Sequence, residues 1–233
     1  MQVRHKGPTD LVTEYDRRSE EFLLGKIQAA FPDHGIFAEE SGTINPGHEI
    51  RWFIDPLDGT VNYAHGVPLY SVSIAYAENG EVLLGAVYDP EQAELFTAEK
   101  GKGAALNGQT LHCSKAEALV DALLITGFPY DMQRPDNNLN YFNAMAVEAQ
   151  GVRRLGSAAL DLCYVAAGRA DGYWEDHLRP YDIAAGILIA REAEARVTRM
   201  DGSSKVFLDP STGVVAANPR LHAVIMDVIK RVK

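Results

Sequence analysis

The chain of 233 residues has only two cysteines, Cys113 and Cys163. Two are too few for a disulfide framework, and they fit a reducing cytosol and a plain role as packing groups. Basic residues are scarce as well, 22 Lys and Arg against 32 Asp and Glu, which leaves a formal net charge of −10. General affinity for nucleic acid or an anionic membrane needs basic patches, so neither partner is expected. An anionic small molecule stays open, because a bound divalent metal reverses the sign locally. No run approaches the ~18 apolar residues of a membrane span, and the opening MQVRHKGPTD has no apolar h-region, so a cytoplasmic location is expected. Internal repeats, low-complexity tracts and the Cys/His spacings of zinc sites are missing too.

What remains is an ordinary globular composition, 46% hydrophobic and 23% charged, enough for one large or two modest domains. Thr13 suits a helix cap, with Leu23, Ile27, Ala30 and Phe31 at helical spacing and Pro-Asp-His-Gly (32–35) as a stop. Short apolar runs follow at 36–38 and 50–54. The alternating LYSVSIAYA (69–77), then Asn79-Gly80, then EVLLGAVYD (81–89), predicts a β-hairpin. ELFTA (94–98) adds a strand, and Asn107-Gly108 a turn. Beyond about residue 113 the rhythm changes to alternating strand and helix. Strands are expected at 122–127, 152–156, 171–175 and 213–218. Helices are expected at 139–148, after Ser157, at 181–195, and after an Asn218 cap with Pro219 at the first helical position. The expected organisation is α/β in layers, with an N-terminal mainly antiparallel αβ domain (1–113) and a C-terminal α/β domain (114–233).

Carboxylates stand where this pattern does not call for them. Asp55 and Asp58 interrupt the apolar WFIDPLDGTVNY (52–63), Glu39-Glu40 follow the strand IFA, and Asp182 opens the 181–195 helix. Oxygen ligands from several segments suit Mg²⁺. Metal ions held there could clamp an attacking water and a leaving oxygen in phosphoryl hydrolysis. Gly59-Thr60 would offer backbone N–H groups and close approach to an anion. Each element also has a plain reading. Asp-Pro and Asp-Gly suit turns, Glu39-Glu40 a solvated loop, and Asp182 a helix dipole.

WFIDPLDGTVNYAHGVP (52–68) and RPYDIAAGILIAREA (179–193) together resemble the inositol monophosphatase family of Mg²⁺-dependent, lithium-sensitive phosphatases. Lesser matches, GPTDLVTEYD (7–16), FAEESG (37–42), GAVYDP (85–90), EKGKGAALNG (99–108) and RRLGSAALDLCYVAAGRADGYWE (153–175), follow in family order. The resemblance implies a layered α/β sandwich with the active site between its halves. It implies two or three Mg²⁺ ions, replaceable by Mn²⁺ or Ca²⁺, on Glu39, Asp55, the Leu57 carbonyl, Asp58 and Asp182. Glu39 and Thr60 would activate water, with Asp16 holding the Thr60 hydroxyl. Phosphate would lie against Asp58, Gly59, Thr60 and Asp182, and the substrate ring against Gly156, Ser157, Ala158 and Glu175. Lys6 matches a basic residue near the site and equally suits a solvated terminus. His65 and His177 lie close to the motifs.

Two departures stand out. Family members commonly carry about thirty more residues before the segment matching GPTDLVT, where six stand here, so an N-terminal helix is expected to be absent or shortened. The family's Glu-Ala-Gly-Gly reads Glu192-Ala193-Glu194-Ala195, which should extend the 181–195 helix, and Tyr181 replaces a Trp. The expected activity is hydrolysis of a phosphate monoester, myo-inositol monophosphate by default, by a homodimer. Fructose 1,6-bisphosphate, histidinol phosphate and 3′-phosphoadenosine 5′-phosphate are alternatives, although no aromatic or basic surface for a nucleobase is identifiable. A non-enzymatic partner of the transcription machinery is the reading from another class.

Overall fold

The computed structural model describes residues 3–5, 11–134, 136–204 and 212–232, so Lys6 lies outside the described residues. Strand β1 (Val3–His5) pairs antiparallel with β2 (Leu11–Thr13), which runs directly into helix α1 (Glu14–Ala30). Thr13 caps that helix as expected. Its hydroxyl accepts the Tyr15 N–H at 3.1 Å, while the Asp16 carboxylate accepts the Thr13 N–H at 2.8 Å.

The next segment is almost entirely strand: β3 (Gly35–Ala38), β4 (Gly42–Ile44), β5 (Ile50–Asp58), a single turn α2 (Thr60–Ala64), then β6 (Ser71–Glu78), β7 (Glu81–Asp89), β8 (Glu94–Glu99), β9 (Gly103–Leu106) and β10 (Gln109–Thr110). They form one sheet in the order β10-β9-β8-β7-β6-β5-β3-β4, antiparallel except where β3 lies parallel to β5. The β6–β7 hairpin turns on Asn79 and Gly80 at φ 51° and 77°, the left-handed pair that an Asn-Gly turn requires.

After a 3₁₀ turn at Leu119–Asp121 come β11 (Leu123–Thr126), α3 (Leu139–Glu148), β12 (Gly151–Arg153), α4 (Ala158–Ala166), β13 (Gly172–Leu178), α5 (Pro180–Glu192), β14 (Arg196–Thr198), β15 (Thr212–Ala217) and α6 (Pro219–Val232). Their sheet, β12-β11-β13-β15-β14, is mixed.

Four apolar clusters set these elements in layers. Ile27 of α1 meets Ile36, Ala38 and Ile54 on one face of the large sheet. The other face, with Phe53, Val87 and Phe96, buries Leu160 and Cys163 of α4 and Ala185 and Ile189 of α5. The reverse sides of those helices, Leu162, Val165, Ile183 and Ile187, meet Tyr173, Val214 and Ala216 of the small sheet. Its far face, with Trp174 and Val215, carries α3 and α6. Helices α4 and α5 are thus apolar nearly all round because both sides are buried. Full burial of side chains such as Trp174, Tyr173 and Phe96 contributes roughly 1.5–3 kcal/mol each. On the outer face of the large sheet, Leu84, Tyr88 and Leu95 stay exposed. Among the described residues no helix is long and apolar enough to cross a membrane.

One expectation fails. Helix α5 does not run on through 195; it ends at Glu192, with Ala193 as cap and Glu194 forced to φ 71°. Backbone packing overrides helix propensity there. Cys113 N–H donates to the Ala193 carbonyl at 2.9 Å, and Glu192 accepts the N–H groups of Gly101 and Gly103 at 2.8 and 2.9 Å. These bonds fix where the chain must turn.

Candidate active site

Strand β5 does not stop at Ile54, where the apolar run ends; it continues through Asp58. Residues three apart on a regular strand face opposite sides. Here Asp55 pairs with Ser73 and Asp58 with Ser71, so β5 carries one residue more than β6 over this stretch. That bulge turns both carboxylates to one cavity. Pro56, which has no N–H for the ladder, sits in it. The Asp55 carboxylate accepts the Leu57 N–H at 3.0 Å, and Ser19 donates to the Pro56 carbonyl at 2.9 Å, fixing the irregular backbone.

Glu39 is brought alongside by its N–H, which donates to the Ile54 carbonyl at 3.1 Å. The turn after it hangs on Glu20 of α1, whose carboxylate accepts the N–H groups of Glu40 and Ser41 at 2.9 and 2.8 Å. Asp16, Glu39 and Glu40 each offer a carboxylate oxygen within 4.8 Å of the others. Thr60, at the start of α2, donates its hydroxyl to Asp16 at 2.9 Å and lies 3.0 Å from the Leu57 carbonyl. The Thr60–Asp16 pair expected from the resemblance is therefore in contact. Gly59, at φ 96°, leaves no room for a side chain: a Cβ would stand 3.1 Å from the Leu69 carbonyl and 3.2 Å from that of Gly156.

The other wall comes from the second half of the chain. The Ser157 hydroxyl and the Ala159 N–H donate to one Asp58 oxygen at 2.6 and 2.7 Å, so the start of α4 is bound to the acidic floor. Gly156 and Ala158 line the cavity, whereas the buried Ser157 side chain is turned to Asp58. Asn62 of α2 joins the halves by donating to the carbonyls of Leu69 and Leu155 at 2.8 and 2.7 Å. Asp182 lies in the first turn of α5, its carboxylate held by the Arg179 N–H at 2.6 Å. Glu175 of β13 accepts the Tyr173 hydroxyl at 2.6 Å.

The cavity, about 410 Å³, is lined at its floor by Glu39, Asp55, Leu57, Asp58, Gly59, Thr60 and Asp182, and on one wall by Glu175. Burial first, then the charges of Glu39, Asp58 and Asp182, push Asp55 well above the usual carboxylate range. Asp182 is displaced the same way, by burial and by Asp58, Glu39 and Glu175, against the Arg179 N–H bond. Burial raises Asp58 to about 6 despite its bonds to Ser157, Ala159 and Ala158, and raises Glu175 to about 7. Crowded carboxylates with an all-oxygen donor set are what a hard divalent cation relieves, so the residues present fit Mg²⁺.

Several residues escaped the sequence reading. Glu20 and Asn62 hold the site through bonds to backbone far away in sequence, which no local pattern announces. Asp161 is a nearly fully buried carboxyl whose two oxygens have no hydrogen-bond partner among the described residues, and burial and the charge of Glu175 push it well above the usual carboxylate range. An aspartate inside the apolar SAALDLCYVAAG was the visible signal. The cavity mouth carries Phe128, Tyr130, Arg134 and Arg154, the aromatic and basic surface not identified from sequence. His177 lies on that rim at φ 65°, its Nε2 2.9 Å from the Asp136 carboxylate. His65 caps α2 away from the cavity.

Comparison with known proteins agrees with this arrangement. The model of the inositol monophosphatase family matches residues 1–233. An inositol-1-monophosphatase of Mesorhizobium japonicum is 42% identical over 99% of this chain and 87% of its own length. The Nus factor SuhB of Vibrio cholerae is 44% identical over 94% of this chain and 82% of its own. The crystal structure of the extragenic suppressor protein suhB of Bartonella henselae superposes with a TM-score of 0.92 at 39% identity, covering 99% of this chain and 88% of that one. With its two large sheets, intervening helices and acidic cavity, the chain belongs to the inositol monophosphatase family and is a phosphoric monoester hydrolase of that type.

Proposed function

We propose that the chain is a Mg²⁺-dependent phosphatase acting on myo-inositol monophosphate or a similar polyol or sugar phosphate, by direct attack of water. The observation that carries this reading is the convergence of Asp55, Asp58, Glu39 and Asp182 on one cavity, where burial, together with the charges of Glu39 and Asp58, raises the proton affinity of Asp55 and Asp182. Glu39, Asp55, the Leu57 carbonyl, Asp58 and Asp182 would hold the metal. When bound, Mg²⁺ supplies charge neutralisation and Lewis-acid polarisation of the phosphoryl group. The rest falls to the protein. Thr60 donates its proton to Asp16, so its oxygen keeps lone pairs to accept a hydrogen bond from a water and orient it. Asp16 is itself fixed by the Thr13 N–H and hydroxyl. Glu39 completes the pair that takes up the proton. Gly59 and Thr60 receive the phosphate beside Asp58 and Asp182. Gly156 and Ala158 face the ring, Ser157 sets their position through Asp58, and Glu175 accepts from a ring hydroxyl.

Released phosphate should be measured with Mg²⁺ for inositol 1-phosphate, fructose 1,6-bisphosphate, histidinol phosphate and 3′-phosphoadenosine 5′-phosphate side by side, with lithium as inhibitor. Turnover of inositol 1-phosphate no better than of an aryl phosphate would defeat the polyol assignment. Asp55→Asn keeps the Leu57 bond and the volume, so it should fold yet lose Mg²⁺-dependent hydrolysis by about 100-fold or more. Full activity in that variant would remove Asp55 from the mechanism.

The name of the Vibrio relative, Nus factor SuhB, favours a second reading, a partner of the transcription machinery. Binding to such a partner retained by Asp55→Asn would separate that role from hydrolysis. The homodimer implied by the resemblance is tested by light scattering.

A further inference from the structure

The chain leaves β11 at Gly127 and enters α3 through Asn138, and of the residues between, Phe128, Pro129, Tyr130, Asp131 and Arg134 line the cavity. Asn138 directly precedes the helix, where an asparagine side chain commonly serves as the cap. It makes no cap bond, and Asn137 accepts the Leu139 N–H at 3.2 Å instead. The buried Asn138 amide turns inward. Its Nδ2 donates to the Thr126 hydroxyl oxygen at 2.8 Å and to the Gly127 carbonyl at 2.5 Å, while its Oδ1 accepts the Trp174 indole N–H at 2.7 Å. Thr126 in turn donates its hydroxyl to the Trp174 carbonyl at 2.6 Å. A reversed amide would set oxygen against oxygen and N–H against N–H, so the network has one arrangement. Keeping it requires φ 71° at Asn138, a conformation that asparagine tolerates better than most residues.

These bonds act where the wall of the site begins. Strands β11 and β13 are parallel neighbours with Thr126 opposite Trp174, so Gly127 and Glu175 follow side by side, and both line the cavity. Their contact is close: a Cβ on Gly127 would stand 2.0 Å from a Glu175 carboxylate oxygen. We propose that Asn138 is a positioning residue for the organic part of the substrate. Its amide closes the neck of the 127–138 loop onto β13, and so sets the gap between that loop and Glu175 in which the ring of a polyol or sugar monophosphate is held. The proposal rests on the phosphatase reading of the floor and deepens it, assigning choice of the ring to a buried network behind the wall. The three amide bonds go to Thr126, Gly127 and Trp174 and not to the acidic floor, so the metal requirement should not depend on them. A contact remote from the reacting atoms is made equally in ground and transition states, so its loss acts on KM rather than kcat. The competing role for Asn138 is stability alone, since an opened network leaves buried polar groups unpaired. That role would lower Tm and act on every substrate alike.

The test compares kcat/KM, with Mg²⁺, for inositol 1-phosphate and for glycerol 2-phosphate, a compact ester without a ring. Asn138→Asp keeps an acceptor for Trp174 and the tolerance of positive φ but removes both donors, and Asn138→Gly keeps the backbone and removes the amide. In both, the ratio of inositol 1-phosphate to glycerol 2-phosphate should fall about tenfold, through KM, with the Mg²⁺ concentration for half-maximal rate unchanged. Thr126→Val takes away one acceptor of the amide and should give a smaller fall of the same kind, which keeps the test open if an Asn138 variant does not fold. Asn137→Ala removes the helix cap one residue away and should lower Tm without moving the ratio. An equal loss for both esters in the Asn138 and Thr126 variants, or a lower Tm with the ratio intact, overturns the proposal. Were the wild type to hydrolyse neither ester, the phosphatase reading would fail by itself. Calorimetric Kd values for inositol 1-phosphate with Ca²⁺ would then decide the role of Asn138. An equal Kd in wild type and Asn138→Gly, or no binding to the wild type, would speak against it.

Discussion

Asp55 and His222 are both withdrawn from water, and burial moves their proton affinities in opposite directions. The Asp55 carboxyl is pushed up, while burial, helped by Arg196, pulls His222 down to about 4. His222 is 1% exposed, with Nε2 2.9 Å from the Thr198 hydroxyl. Its folded value lies below the ordinary imidazole range, so the unfolded chain binds the extra proton. Stability from the neutral ring is complete above pH 6.5 and is lost as pH falls towards 4. The raised carboxyls work in the other sense, so the quantity to read is the difference between wild type and His222→Gln. That difference in unfolding free energy should shrink by about 2 kcal/mol between pH 7 and pH 5. Urea melts at the two pH values check it, and a constant difference would mean that the ring does not titrate as placed. From sequence, His222 was one unremarked residue of the last helix, because its burial depends on Thr198, a residue of β14.

At the level of elements, the end of α5 stores a removable cost. Glu194 is exposed, takes φ 71°, donates its N–H to the Arg191 carbonyl at 3.0 Å, and sets its carboxylate 3.4 Å from His112 Nδ1. A side chain in the left-handed region is disfavoured relative to glycine. Glu194→Gly should therefore stabilise the protein by about 1 kcal/mol, seen as a higher urea midpoint with unchanged slope. No gain would mean that the strain is relieved elsewhere. The sequence foretold the opposite at this place, a longer helix, because propensity is local while the Cys113–Ala193 bond is not. Where the deciding chemistry is local, the reading served well. Thr13, Ser157 and Asn218 cap their helices, and Asn79-Gly80 turns its hairpin. The bulge in β5 was illegible for the converse reason. An Asp-Pro-x-Asp stretch looks like a turn until the register against Ser71 and Ser73 shows a continuing strand. The residue set of the site was legible only through the family motifs, since Glu39, Asp55, Asp58 and Asp182 taken singly each have a plainer explanation.

Across the whole molecule, acidity is concentrated where two sheets and their shared helices meet. Glu39, Asp55 and Asp58 come from the large sheet side, Asp182 and Glu175 from α5 and β13, and the Ser157–Asp58 and Asn62–Leu155 bonds tie the halves at the same place. Carboxylates packed against one another oppose the folded state until a cation joins them, and the unfolded chain, with the same groups dispersed, has no such site. A ligand that binds only the folded form stabilises it by mass action, about 2.7 kcal/mol at a hundred times Kd. For a chain of this length that corresponds to a rise in Tm of about 5–10 °C. Thermal melts in EDTA and in increasing Mg²⁺ should show that rise, with Mn²⁺ and Ca²⁺ acting in the same direction. Asp55→Asn removes one of the mutually repelling charges, so it should melt higher than wild type in EDTA and gain less from Mg²⁺. The two melting curves should therefore converge as the metal concentration rises. A wild-type Tm indifferent to Mg²⁺, or an Asp55→Asn protein that responds as strongly, would show that these carboxylates do not form a cation site, whatever the activity assays gave.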